Sequence, residues 1–254
     1  MTYPAIIVEH LTKKYRLGGL HEDSLKKVLG QWLGLHTKTA LQTKDFLALD
    51  NVSFTVDQGE VLGIVGHNGA GKSTLLKVLS RITEPTLGEA RVYGRVGTLL
   101  EIGTGFHPDL NGIENIFLNG SILGMRPTEI RHYLDEIIAF SGIEKFLYTP
   151  VKHYSSGMTV RLAFSVAAHL QADIIFLDEV WGAGDQEFSQ KSIAKMKSIV
   201  KSGRTVVVIS HDLSILKELC TRCLWMEQGK IILDGPASTI IDTYKQSVDH
   251  HDHK

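Results

Sequence analysis

Nine consecutive residues, Gly66 to Thr74, read Gly-His-Asn-Gly-Ala-Gly-Lys-Ser-Thr, which is the full spacing of a phosphate-binding P-loop. Glycines Gly66, Gly69 and Gly71 let the backbone curl so that successive amides point inward at phosphate oxygens. His67, Asn68 and Ala70 fill the loop between them. Lys72 is spaced to reach the β- and γ-phosphates of a nucleoside triphosphate, Ser73 to give its hydroxyl to Mg²⁺, and Thr74 continues into the next element. A second acidic group belongs to the same chemistry. Asp178 and Glu179 follow the apolar run Ile174 to Leu177. An acidic residue at the carboxyl end of a buried parallel strand lies where ligands collect in open α/β sheets. Asp178 is the natural Mg²⁺ partner beside Ser73, and Glu179 is placed to deprotonate a water attacking the γ-phosphate. His211 follows another apolar strand, Val206 to Ile209, and is expected to approach the same phosphate. Asp185 closes a glycine-rich loop, Gly182-Ala183-Gly184-Asp185. In Tyr154-Ser155-Ser156-Gly157-Met158, small residues open a run of helical spacing, from Val160 to Leu170. Unobstructed amides at a helix start make a second anion site.

The elements that must hold these groups are legible in outline. An apolar run, Val61 to Val65, precedes the P-loop and a helical one, Leu75 to Leu79, follows it. That strand–loop–helix order is the context the motif needs. Ile6-Ile7-Val8 and Val52 to Val56 read as strands. Ile174–Leu177 and Val206–Ile209 are short and continuously apolar, as strands covered on both faces of a parallel sheet are. Helical periodicity dominates residues 111–141, interrupted at Gly124 and Pro127, and Trp225 to Leu233 reads as a hairpin around Gly229. The fold class is α/β with a helical lobe inserted after the first half of the sheet. Within the long stretch from Arg16 to Asp50, residues Leu25, Val28, Leu29, Trp32 and Leu33 fall on one helical stripe. That stripe either packs on the chain's own sheet or faces a membrane subunit or lipid surface.

Composition excludes several classes. The 254 residues carry a formal net charge of −1 with both signs mixed, so a nucleic-acid partner is not expected. No run approaches the roughly 20 apolar residues that span a bilayer, and the first residues lack the pattern of a secretory signal. Cys220 and Cys223 form a lone C-x-x-C without the second pair a zinc site wants, so they are read as buried thiols of a reducing compartment. The closing His250, His251, Asp252 and His253 are read as a solvated tail.

The order of P-loop, Ser-x-Gly helix start, hydrophobic-Asp-Glu, Gly-x-Gly-Asp and strand-His resembles the ATP-binding cassette (ABC) ATPases over nearly the whole chain. Tyr15, in Lys13-Lys14-Tyr15, matches the aromatic that stacks on adenine. Ser155 and Gly157 match the family's Leu-Ser-Gly-Gly-Gln signature, whose segment here is Ser155, Ser156, Gly157 and Met158, with Tyr154, Ser156 and Met158 departing from it. Glu101 stands one residue off the register of the family's Gln loop and is a further candidate for Mg²⁺. The resemblance implies a RecA-like P-loop core, an antiparallel β-subdomain and an inserted helical subdomain. It implies one cassette over 1–236, with the helical subdomain at about 106–160, an insertion at about 16–50, and a short C-terminal helix and disordered tail at 237–254. It also implies ATP and Mg²⁺ as cofactors and a homodimer that sandwiches ATP, with the signature acting in trans and Asp185 in the D-loop.

Leu99 to Pro108, Gly112 to Ile116 and Tyr154 to Met158 are similar to one subfamily, the ATPases that export lipid-linked polysaccharides: O-antigens, capsules and teichoic acids. The implied setting is the cytoplasmic face of the inner (plasma) membrane, beneath two copies of a multispanning permease. Some members add a carbohydrate-binding domain for which this chain is expected to lack room. Rival readings are an ABC ATPase of another transporter class and a soluble ABC protein of translation or DNA repair.

Overall fold

Two sheets divide the strands by the company they keep. The computed structural model describes residues 3–17, 44–99, 105–178 and 185–251. One sheet is antiparallel, in the order β2-β1-β4, from β1 (Pro4–Leu17), β2 (Lys44–Asp57) and β4 (Leu87–Val92). The other has the order β5-β6-β7-β3-β8-β9. Its members are β3 (Val61–Val65), β5 (Val96–Leu99), β6 (Ile174–Asp178), β7 (Thr205–Ile209), β8 (Arg222–Glu227) and β9 (Lys230–Pro236). From β5 to β8 the pairing is parallel, and β9 returns antiparallel as the second arm of the expected hairpin. All five residues of β3 and of β7 are buried, which is why these segments show no alternation in sequence.

Helix α1 (Lys72–Leu79) follows the P-loop. The helical lobe holds α2 (Gly112–Ile122) and α3 (Pro127–Ser141), and leads through two short 3₁₀ turns into α4 (Ser156–Ala167). Then come α5 (Gln186–Lys201), α6 (Leu213–Leu219) and α7 (Ala237–His251). Phe140, Phe164 and Phe188 stack where α3, α4 and α5 meet, tying the lobe to the core. Cys220 and Cys223 are buried free thiols where α6 gives way to β8.

Two boundaries differ from the sequence reading. The insertion expected at 16–50 is bounded more tightly, because Tyr15, Arg16 and Leu17 pair with Phe46, Asp45 and Lys44. Register shifts along β1 at Val8/Leu11, Leu11/Lys13 and Lys13/Lys14 break the period of two and hide the strand. As a result Ala48 and Leu49 are both buried while Phe46 and Leu47 are both exposed. The stripe Leu25 to Leu33 lies outside the described residues. Helix α4 runs to Ala167, within the stretch of helical spacing read from Val160 to Leu170. The C-terminal helix reaches His251, taking in His250 and His251, which had been assigned to the tail.

Candidate nucleotide site

β3 delivers the P-loop from the middle of the parallel sheet, and the loop is shaped by close neighbours. A Cβ at Gly66 would collide with the Met226 carbonyl oxygen, and one at Gly71 with that of Ala48; both glycines also have positive φ, at 151° and 104°. No other residue fits either position without strain. The turn between β8 and β9 clasps the loop, with the Gly229 amide donating to the Ala70 carbonyl at 3.0 Å. Gly229 in turn accepts from the Asp50 amide at 2.9 Å.

Lys72 is 6% exposed, and its Nζ donates to the carbonyls of Gly66 at 2.6 Å and His67 at 3.1 Å. A buried ammonium held over the loop is a charge fixed in advance where phosphate oxygens would arrive. Helix α1 begins at Gly71 with no side-chain cap. By contrast, Asn111, Ser155, Asp185 and Asp212 each place a side-chain oxygen on the first-turn amides of α2, α4, α5 and α6. The P-loop helix therefore keeps its first amides and its positive dipole end for an anion.

A cavity of about 210 Å³ lies over the loop, lined by Asn68 to Thr74 together with Phe46 and Ala48. Phe46 escaped the sequence reading, which assigned it to the insertion. It stands directly across from Tyr15 and on the same face of the β1–β2 ribbon, and both rings are exposed, at 45% and 38%. Lys13 Nζ sits 5.1 Å from the centre of the Tyr15 ring.

Asp178 ends β6 opposite Ile209 of β7, and β7 separates β6 from the P-loop strand. His211 leaves the sheet just past β7 and is exposed, between the acidic strand end and the P-loop. Ser73 and Asp178 thus share the carboxyl edge of one parallel sheet. A hydroxyl and a carboxylate are hard oxygen donors of the kind Mg²⁺ takes while keeping waters and phosphate oxygens as its other ligands. The pair fits that ion. Among the described residues no group of three or more His, Cys, Asp or Glu side chains gathers as a metal site. Glu101 and Glu179 lie outside the described residues.

The segment expected to be the signature opens α4. Tyr154 directly precedes the expected signature segment, and its hydroxyl donates to the Phe146 carbonyl at 2.8 Å. Burial holds that phenol above its ordinary pKa. Ser155 caps α4 by accepting from the Met158 amide at 3.2 Å. Ser155 and Ser156 are exposed, Gly157 and Met158 half-buried. At Gly157 a Cβ would meet nothing nearer than Ser155 Oγ, 3.9 Å away. Among the described residues of its own chain nothing at this position asks for glycine. Asp185 accepts from the Phe188 amide at 2.9 Å and pairs with Arg161 of α4.

The ABC transporter family profile matches residues 49–182, and the chain belongs to that family of ATP-binding cassettes, which couple ATP hydrolysis to transport. It is 39% identical to the O-antigen export system ATP-binding protein RfbB of Klebsiella pneumoniae over 97% of this chain and 99% of that protein. It is 40% identical to the RfbB of Myxococcus xanthus and 40% identical to the teichoic acids export ATP-binding protein TagH of Bacillus anthracis. Those matches cover 96% and 94% of this chain but only 56% and 42% of the two relatives. In structure it is similar to a dimeric ATP-binding cassette solved in a post-hydrolysis state with ADP and Pi. The TM-score is 0.69 at 22% identity, over 91% of this chain and 98% of that one.

Proposed function

We propose that this chain is the ATPase subunit of an exporter that moves a lipid-linked polysaccharide across the cytoplasmic membrane. Its relatives named for O-antigen and teichoic acid export support the substrate class. In this reading the subunit lies on the cytoplasmic face of the inner membrane as a homodimer beneath two copies of a separate permease. No helix among the described residues is long and apolar enough to cross a membrane.

The observation that carries the sandwich is the contrast between two helix starts. α1 is left uncapped behind a buried lysine, and α4 opens with two exposed serines and a half-buried glycine that nothing among the described residues of its own chain requires. ATP binds between the P-loop of one copy and Ser155 to Met158 of the other. Tyr15 and Phe46 offer the base an aromatic ledge, Lys72 and the α1 amides hold the phosphates, and Ser73 with Asp178 holds Mg²⁺. When bound, the ion offsets charge on the β- and γ-phosphates. Glu179 takes a proton from water as its oxygen bonds the γ-phosphorus and the bond to the β-bridging oxygen breaks, leaving ADP and phosphate. His211 steadies the γ-phosphate, and loss of the bridging charge reopens the dimer.

The test is affinity purification from native membranes in mild detergent. Co-purification of a multispanning protein, together with stalled glycan export when Lys72 is replaced by Ala, is the expected result. Recovery with ribosomes or DNA instead overturns the transport reading.

A further inference from the structure

The C-terminal helix reaches the P-loop through one side chain. Tyr244 of α7 is buried, and its ring meets two others edge-on: Trp225 of β8 at 5.6 Å and His67 of the P-loop at 5.7 Å between centroids. Trp225 is itself in register with Val65, the last residue before the loop, and its buried Nε1 has no hydrogen-bond partner among the described residues. The indole is thus held by packing alone, and Tyr244 is part of that packing. Burial and the nearby charge of Glu227 keep the phenol above its ordinary pKa, so the ring stays neutral across the working range of pH. His67 matters because of its backbone. Its carbonyl accepts both the Ala70 amide and Lys72 Nζ, each at 3.1 Å. Its imidazole is exposed apart from this contact, and no other aromatic ring packs on it among the described residues.

We propose that Tyr244 is a positioning residue for nucleotide: by bracing the His67 ring it fixes the carbonyl that orients Lys72. The placement of α7 therefore sets the affinity of the P-loop. The inference rests on reading Gly66–Thr74 as the nucleotide site, and the two can fail separately. An edge-on aromatic contact is strong enough to change affinity by about two- to tenfold.

The experiment measures ATP binding with a fluorescent nucleotide, and KM and kcat for ATP hydrolysis, on the full chain. The variants are Tyr244→Leu, Tyr244→Phe, His67→Ala, His67→Phe and the double variant Tyr244→Leu/His67→Ala, with Lys72→Ala as the control. Tyr244→Leu keeps an apolar side chain but loses the ring. It should raise Kd and KM by about three- to tenfold with kcat within about twofold, while Tyr244→Phe stays near wild type. Against His67→Ala, the Tyr244→Leu effect should vanish, because the ring it braces is gone. Equal effects of Tyr244→Leu with and without His67 overturn the proposal. Should Tyr244→Leu fail to fold, the exposed position still decides: His67→Ala must weaken binding and His67→Phe restore it. Wild-type affinity in His67→Ala overturns the proposal. If Lys72→Ala binds ATP normally, the nucleotide-site reading itself has failed.

Discussion

Arg161 Nη1 lies 3.3 Å from Asp185 Oδ2, so the helix that starts at the signature is tied to the cap of the helix that follows the acidic strand. The same guanidinium donates through Nε to the Ser141 carbonyl at 2.8 Å, at the end of α3, and lies over the Phe188 ring. One side chain thus gathers three helices. Asp185 has two separable jobs, capping α5 and pairing with Arg161. Asp185→Ala should cost about 1 kcal/mol for the lost cap. Asp185→Asn keeps the cap acceptor and loses only a half-exposed ion pair, so it should cost less than about 1 kcal/mol. Denaturant melts of the two variants decide it, and equal losses would mean that the cap is not the larger part.

Glu179→Gln keeps shape and hydrogen-bonding reach but removes the base. ATP binding should persist, turnover should fall by two orders of magnitude or more, and an ATP-dependent dimer should accumulate on gel filtration. Lys72→Ala should instead weaken nucleotide binding itself, since the charge facing the β- and γ-phosphates is gone. Near-normal steady-state ATPase in Glu179→Gln would remove that residue from the chemistry.

If Ser155 and Gly157 complete the partner's site, cysteines placed at Ser155 and Asn68 should join between chains only when ATP is bound. Asn68 lines the cavity over the P-loop and both positions are exposed, so neither change disturbs a core. The readout is a dimer band on a non-reducing gel. Cross-links within one chain, or links indifferent to ATP, would end the sandwich reading.

His169 is buried where the helical lobe meets the core, with Nδ1 at 2.7 Å from the Ser165 carbonyl. Its Nε2 faces Lys195 of α5 at 3.3 Å and Glu136 of α3 at 3.7 Å. Burial, opposed by the Ser165 carbonyl and reinforced by the Lys195 charge, holds its pKa below the ordinary 6.5. The unfolded chain therefore binds this proton more readily. The stability from His169 is complete above pH 6.5 and is lost as pH falls through that value toward the folded one. Melting temperature should drop between pH 7.5 and 5.5, and His169→Gln should flatten the slope. Glu129 belongs to a separate window. Hydrogen bonds from Arg95 hold it at about 2, so its contribution is complete above its ordinary 4.5 and is lost only as pH falls from there toward about 2.

The chemistry was more legible than the surroundings that shape it. Gly66 to Thr74 and the capped start at Ser155 announce themselves because local backbone geometry dictates their residue types. The strand before Asp178 does so because burial on both faces removes polar residues from it. Phe46 was not legible, since register shifts that leave extra residues on β2, Ala48 among them, erase the alternation that would mark its strand. The contact of Tyr244 with His67 was invisible for another reason. It joins the last helix to the P-loop through folding alone, and nothing local in either segment asks for the other.

The two cysteines end with a consequence for anyone handling the protein. Both thiols are at most 8% exposed, and desolvation raises their pKa, to about 12 for Cys223. Thiolate is the reactive form, so at neutral pH maleimides and oxidants find almost nothing to attack while the chain is folded. The folded chain should therefore serve as a quiet background for thiol chemistry, and labelling of Cys220 or Cys223 should report unfolding of the junction between α6 and β8.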